Sequence, residues 1–362
     1  MRFAFFDDYC HERGHHPDLL MGLGTAAGAP VYCPPSYLEG RSADRRRVEH
    51  VPVTGSRQGL ASVTRRNLEA SLADASARGC EVFVNLFFDE NWDSLPVAPG
   101  PLRVIHALHR PAELTGELGG VNAEKTGDVR GLLKQLGEGR DLFVVHTVTG
   151  ERQALDWLPR DVVVRVGWPA ATAAEVRERF AAPRRDTDEE PYVLLVGEAL
   201  DYKGFHHLLE AVNPGPRLRI AGNLANGEEL IARRYPRARV DWEPGWITRE
   251  RMHRLIEGAA VVAFPYLDEF AAHGGVSAAL VQALTFGKAI VVSEPLAPQV
   301  PVSEAIMTVP TGDVRALRAA IARGMDHRAV LEDAAQDLRE YVLREHTYEG
   351  HLEQMSQAVA GR

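Results

Sequence analysis

The sequence predicts an α/β protein made of two doubly wound parallel-sheet domains in series. Three observations lead there. Short β-rich apolar runs alternate with longer helical patterns along almost the whole chain, the signature of βαβ units and parallel sheets. The 362 residues suffice for two domains of ordinary size. A change of composition after Trp168-Pro169 separates one series of runs from the next.

In the first half the runs predict strands at 2–6, 31–33, 81–87, 102–108, 142–146 and 161–166. Between two of them, Leu60, Val63, Leu68 and Leu72 recur at helical spacing within 57–78. Residues 171–190 are rich in alanine, arginine and acids and end in Pro191, which predicts a helix and a polar linker. The predicted domains are therefore 1–170 and 191–340, with 341–362 as a terminal helical segment. In the second half strands are expected at 192–196, 217–221, 238–242, 260–264 and 289–292. Helices are expected at 203–212, 226–234, 248–257, 276–286 and 313–325, with two more over 328–361 broken near His346-Thr347.

Composition narrows the function classes. Hydrophobic residues make up 45% and charged residues 25%, as in ordinary globular proteins, and the net charge is -9. That balance argues against a nucleic-acid partner. The basic run Arg41 to Arg47 is diluted by Asp44 and reads as a solvated loop. Cys10, Cys33 and Cys80 match no zinc or redox spacing, so a reducing, cytoplasmic setting is expected. The apolar start, Phe3 to Phe6, is too short for a signal peptide, and no run approaches the length of a membrane span.

Two segments of the second half carry the chemistry. In Val196-Gly197-Glu198-Ala199-Leu200-Asp201-Tyr202-Lys203-Gly204 a buried strand ends at Gly197, and Lys203-Gly204 opens a helix. Such a lysine offers a point charge to phosphate, although lysines at loops are commonly just solvated. In Phe264 to Ala278, Gly274-Gly275-Val276-Ser277 precede a helix of small and apolar residues. Free N–H groups at a helix start favour an anion, and glycines allow close approach. Ser277 fits either a cap or a phosphate donor. A capped turn without a ligand fits the second segment alone, so the two segments together make the case.

These segments resemble the GT-B glycosyltransferases, specifically the family 4-like (group 1) enzymes. The resemblance continues through Leu218-Arg219-Ile220-Ala221-Gly222, the loop Pro244-Gly245-Trp246-Ile247, Phe264-Pro265, and Val281-Gln282-Ala283-Leu284 followed by Gly287-Lys288 and a valine-rich strand. It implies two Rossmann-like domains facing a cleft, with a C-terminal helix crossing back to the first domain. It also implies a retaining transfer from a nucleoside-diphosphate sugar, with no metal and no cofactor besides that donor. Gly197, Lys203, Gly222, Trp246, Ile247, Gly274, Gly275, Val276, Ser277 and Gln282 become the expected donor-binding residues. Two positions depart from the family. Glu198 stands where an arginine is usual. The family's E-x7-E pair reads Gly274 and Gln282, or begins at Glu269 if residues are inserted before the helix.

Glu269 and Lys203 are accordingly the expected catalytic groups of the second half. In the first half the resemblance implies a histidine at a strand end, near the sugar. His109, before Arg110-Pro111, is the better choice, because period-two alternation puts His106 on a sheet face or in the core. The loop after the first strand contains a literal H-E-x-x-H, His11 to His15. It follows a strand and holds Gly14 close to Pro17, so it lacks the helix that a zinc protease needs. Arg13, Gly14 and His15 are read instead as an acceptor-side loop, with a plain surface loop as the other choice. Asp186-Thr187-Asp188 lies in the linker and is not read as a metal site. The expected partners are a nucleotide-sugar and an unidentified acceptor. A GT-B sugar-nucleotide epimerase and a non-catalytic binding protein are the alternatives. The alanine-, arginine- and glycine-rich composition points to a bacterial source.

Overall fold

The computed structural model describes residues 1–8, 16–39, 47–55, 61–92, 95, 102–115, 131–132, 135–136, 141–182, 190–197, 200–223 and 227–361. Residues 9–15, with the whole H-E-x-x-H motif and the acceptor-side Arg13, Gly14 and His15, lie outside them. So do Glu198 and Asp186-Thr187-Asp188. The chain forms two compact units. The first comprises Met1–Thr172, His273–Val276 and Thr347–Arg362; the second comprises Ala173–Ala272 and Ser277–His346. The helix Ala173–Ala181, read from sequence as part of a linker, is thus counted with the second unit, as are residues 341–346.

The first unit is built on a seven-stranded parallel sheet. Its strands are β1 (Phe3–Phe6), β2 (Pro30–Cys33), β3 (Glu49–Pro52), β4 (Val82–Asn85), β5 (Arg103–Leu108), β6 (Leu142–Val145) and β7 (Val163–Arg165), in the order β3-β2-β1-β4-β5-β6-β7. β1, β2, β4 and β6 are buried along their whole length. A parallel sheet is covered on both faces, so its inner strands read as continuous apolar runs. β3 was missed in the sequence for the same reason. As an edge strand of sequence Glu-His-Val-Pro, it has both ends exposed and carries no apolar run.

The C-terminal helix Tyr348–Ala360 completes this unit. Thr347 caps it by accepting from the Gly350 N–H, and Ala171 bridges to Thr347. Tyr348 lies against the helix His16–Ala27 where Gly22 leaves room; a Cβ on Gly22 would meet the ring at 2.1 Å. His351 of the same helix is 3% exposed, and its Nδ1 donates to the Gly167 carbonyl at 2.7 Å. Burial lowers its pKa to about 4, against the smaller opposite pull of that hydrogen bond. Above about pH 6.5 the residue is neutral whether folded or unfolded. Between there and pH 4 the unfolded chain takes up a proton that the folded chain refuses, so stability falls with pH, by about 3 kcal/mol at the lower end. His351→Asn keeps the donor and removes the titration. Denaturant melts at pH 7 and pH 4.5 should show it losing about 2–3 kcal/mol less than wild type over that interval.

The second unit holds a six-stranded parallel sheet. Its strands are β8 (Tyr192–Val196), β9 (Arg217–Ala221), β10 (Val240–Glu243), β11 (Val261–Phe264), β12 (Ala289–Ser293) and β13 (Ile306–Val309), in the order β10-β9-β8-β11-β12-β13. β8, β11 and β12 are fully buried and rich in β-branched residues. Helices Phe205–Ala211 and Val314–Asp326 close one face through Leu208, Leu209, Leu317 and Ile321. β13 was not read from the sequence, because it is a four-residue edge strand with an exposed Thr308. Among the described residues no helix is long and apolar enough to cross a membrane, and no group of three His, Cys, Asp or Glu could hold a metal ion.

Candidate donor-binding site

Strand order in the second unit reverses between β8 and β11. In open parallel sheets, ligands bind beyond the strand C-termini at such a reversal. Both segments singled out in the sequence leave the sheet there. Gly197 follows β8 at φ +105°, and a 3-10 turn covers Asp201–Lys203. Gly204 then takes φ +65°, and a Cβ on it would lie 1.9 Å from the Pro265 carbonyl oxygen. Only glycine lets this turn rest on the segment that follows β11. The Leu267 N–H donates to the Tyr202 carbonyl at 2.7 Å and ties the two segments together. Tyr202, Tyr266 and Phe270 pack as an aromatic group beneath them.

The approach of these segments places the charged end of Lys203. Its Nζ stands 3.6 Å from where a Gly197 Cβ would be and 5.9 Å from the Tyr266 ring centroid. Tyr266 is 2% exposed, and its oxygen accepts from Ser277 Oγ at 3.2 Å. Burial raises the Tyr266 pKa well above the usual phenol value, so the group stays a neutral hydroxyl. Ser277 caps the helix Ala278–Leu284 by accepting from the Leu280 N–H, and its own N–H donates to Gln299 Oε1 at 3.0 Å. An ammonium, a hydroxyl and a left-handed glycine thus gather at the switch point.

The other expected residues of the second unit are placed as follows. Gly222 follows β9, and its carbonyl accepts from the Trp242 indole at 3.0 Å. Trp246 is 54% exposed after β10, beside a half-buried Ile247. Gln282 is half-buried, with its side-chain oxygen 3.3 Å from His253 Nε2. Burial, helped by the nearby Arg179 and Arg249, lowers the His253 pKa to about 4, so His253 is neutral and donates to that oxygen. Glu269 is exposed on the helix Asp268–Ala272.

Gly274, Gly275 and Val276 directly precede Ser277 in the chain. They belong to the first unit. The Gly274 carbonyl accepts from Thr147 Oγ1 at 2.5 Å, and a Cβ on Gly274 would lie 2.1 Å from Gln153 Oε1. A Cβ on Gly275 would lie 3.3 Å from the His109 carbonyl. Both glycines sit in close packing that leaves little room for a side chain. The following helix starts only at Ala278, two residues later than expected.

His109 stands beyond the end of β5 in the first unit, half-buried. Its Nε2 donates to the Leu86 carbonyl at 2.5 Å, and its backbone N–H donates to Asp89 at 2.5 Å. The ring is packed among Phe87, His146 and Trp168. His106 is 2% exposed between Phe88 and Phe143, the core position its alternation predicts. Nothing in the sequence marks His146, Trp168, His253 or Gln299 as neighbours of these groups. Their neighbours are remote in the chain, and each alone reads as a loop or helix residue.

These features define an α/β protein of GT-B type, with two doubly wound parallel sheets. Residues 176–342, nearly the whole second unit, match the family described as glycosyl transferases group 1. No curated protein matches the sequence. Solved structures share the fold at low identity. Sucrose-phosphate synthase from Thermosynechococcus elongatus superposes with a TM-score of 0.71 at 18% identity, covering 100% of this chain and 98% of that one. A glycosyltransferase from Rickettsia africae superposes with a TM-score of 0.72 at 9% identity, covering 99% and 98%. HepE from Anabaena, in complex with UDP and glucose, gives 0.66 at 11% identity, covering 100% of both chains. The family match falls on the second unit, and the solved structures share the fold over the whole chain.

Proposed function

We propose that the protein is a retaining glycosyltransferase. In this reading the second unit holds a nucleoside-diphosphate sugar, and the sugar passes from it to an acceptor. The observation that carries it is the seating of the Lys203-Gly204 turn on the Pro265 segment, which brings Lys203, Tyr266 and Ser277 together at the switch point. Lys203 neutralises the departing diphosphate, the exposed Trp246 stacks on the base, and Gln282 meets the ribose. The leaving diphosphate oxygen takes the acceptor proton, so no metal and no strong protein base is required. Catalysis is then positioning and charge stabilisation. The crystallisation of HepE with UDP and glucose agrees with a donor of this class.

The test incubates the protein with UDP-, GDP- and ADP-sugars, with and without a panel of sugar, lipid and small hydroxylated acceptors. The reading expects release of the nucleoside diphosphate that depends on acceptor, with the anomeric configuration of the donor kept in the product. Conversion of the nucleotide-sugar without any acceptor would show an epimerase instead. Inversion in the product would sink the retaining mechanism.

A further inference from the structure

We propose that Tyr266 is the positioning residue of the phosphate site, setting the Lys203 ammonium and the Ser277-capped start of the helix Ala278–Leu284 in fixed places for a diphosphate; this rests on the function proposed above. Tyr266 follows β11 at the switch point and is 2% exposed. Its ring is held edge-on by Phe264 at 6.1 Å and by Phe270 at 4.8 Å, which leaves it little freedom. The Ser293 hydroxyl donates to its backbone carbonyl and fixes the main chain as well. Two mobile groups are then tied to this rigid one. The Lys203 ammonium stands 5.9 Å over the ring, within the range of a cation–π contact. Ser277 Oγ donates to the Tyr266 oxygen while accepting from the Leu280 N–H.

This arrangement reduces what ligand binding must order. A lysine side chain loses up to about 2 kcal/mol of rotamer freedom when immobilised, and prior placement removes part of that cost. The serine gives its one proton to the phenol, so its part is to hold the start of the helix Ala278–Leu284 in place. Because the phenol stays neutral at all working pH, the arrangement is the same across the assay range. No single sequence motif marks Tyr266. It follows a proline at a strand end and reads there as an ordinary core aromatic.

The experiment uses the full chain and titrates inorganic diphosphate, UDP, GDP and ADP, together with the parent nucleosides. Tyr266→Phe keeps the ring and removes the oxygen. It should weaken every diphosphate that binds wild type by about fivefold and leave nucleoside affinity unchanged, with the melting temperature lowered by only a few degrees as the buried Ser277 hydroxyl loses its acceptor. Ser277→Ala cuts the same bond from the other side and should reproduce that loss. In a double-mutant cycle, Tyr266→Leu and Lys203→Met should lose less together than the sum of their separate losses. Wild-type diphosphate affinity in both Tyr266→Phe and Ser277→Ala, or additive effects in the cycle, would overturn the role of Tyr266 while leaving the donor site standing. Equal weakening of nucleosides and diphosphates would also overturn it, since that marks a general structural effect. If wild type binds none of the diphosphates, the proposed function and this inference fall together.

Discussion

Gly204→Ala is expected to destabilise the second unit by at least about 3 kcal/mol and to abolish diphosphate binding. Two costs add at this position. The φ of +65° is a left-handed conformation that costs an alanine roughly 1 kcal/mol. The larger cost is steric: the new Cβ would lie 1.9 Å from the Pro265 carbonyl oxygen and 3.0 Å from its carbon. Those are backbone atoms at the end of a buried central strand, so they cannot yield as a side-chain tip does. Relief requires lifting the 201–204 turn off the Pro265 segment, which separates Lys203 from Tyr266 and Ser277. Gly312→Ala is the control. It has a similar φ of +72°, but its Cβ would meet nothing closer than a His207 nitrogen at 3.7 Å. It should cost only the backbone term and leave binding unchanged. Thermal melts and ligand titrations of the two variants separate the steric cost from the conformational one.

Lys203→Ala is expected to weaken diphosphate affinity by about 100-fold, with little change in melting temperature. A hydrogen bond from a charged group is worth about 1.5–3 kcal/mol, and a nucleoside diphosphate carries its charge next to the proposed ammonium. The side chain is only partly buried and lies over a glycine and an aromatic ring, not inside the core. Its removal therefore leaves no cavity and no buried charge behind. A structural role would show the opposite pattern, with a lower melting temperature and a uniform loss for all ligands. Lys203→Arg should recover only part of the affinity, because a planar guanidinium does not replace a compact ammonium in a small site.

The central strands were legible because a parallel sheet buried on both faces demands continuous apolar runs, as in Tyr192–Val196 and Phe3–Phe6. β3 was not, because an edge strand is free to be polar, and neither was β13, whose run Ile-Met-Thr-Val is short and interrupted by the exposed Thr308. Of the site, Lys203 and Ser277 were readable from local spacing. The sequence could not show that Gly204 is the contact that joins the two segments, because the Pro265 carbonyl lies 61 residues away in the chain. Nor could it show that Gly274 packs closely against Thr147 and Gln153, since a glycine before a helix looks the same with or without such neighbours. The partners of Ser277, from Tyr266 to Gln299, depend on how separate segments converge on one end of the sheet.

The most direct measurement is a calorimetric titration of the wild-type chain and Lys203→Ala with UDP, GDP and ADP and with the matching nucleosides. The account predicts that at least one nucleoside diphosphate binds wild type much more tightly than its nucleoside, and that this advantage disappears in Lys203→Ala. Equal binding of nucleoside and diphosphate by wild type, or an advantage that survives loss of Lys203, would contradict it.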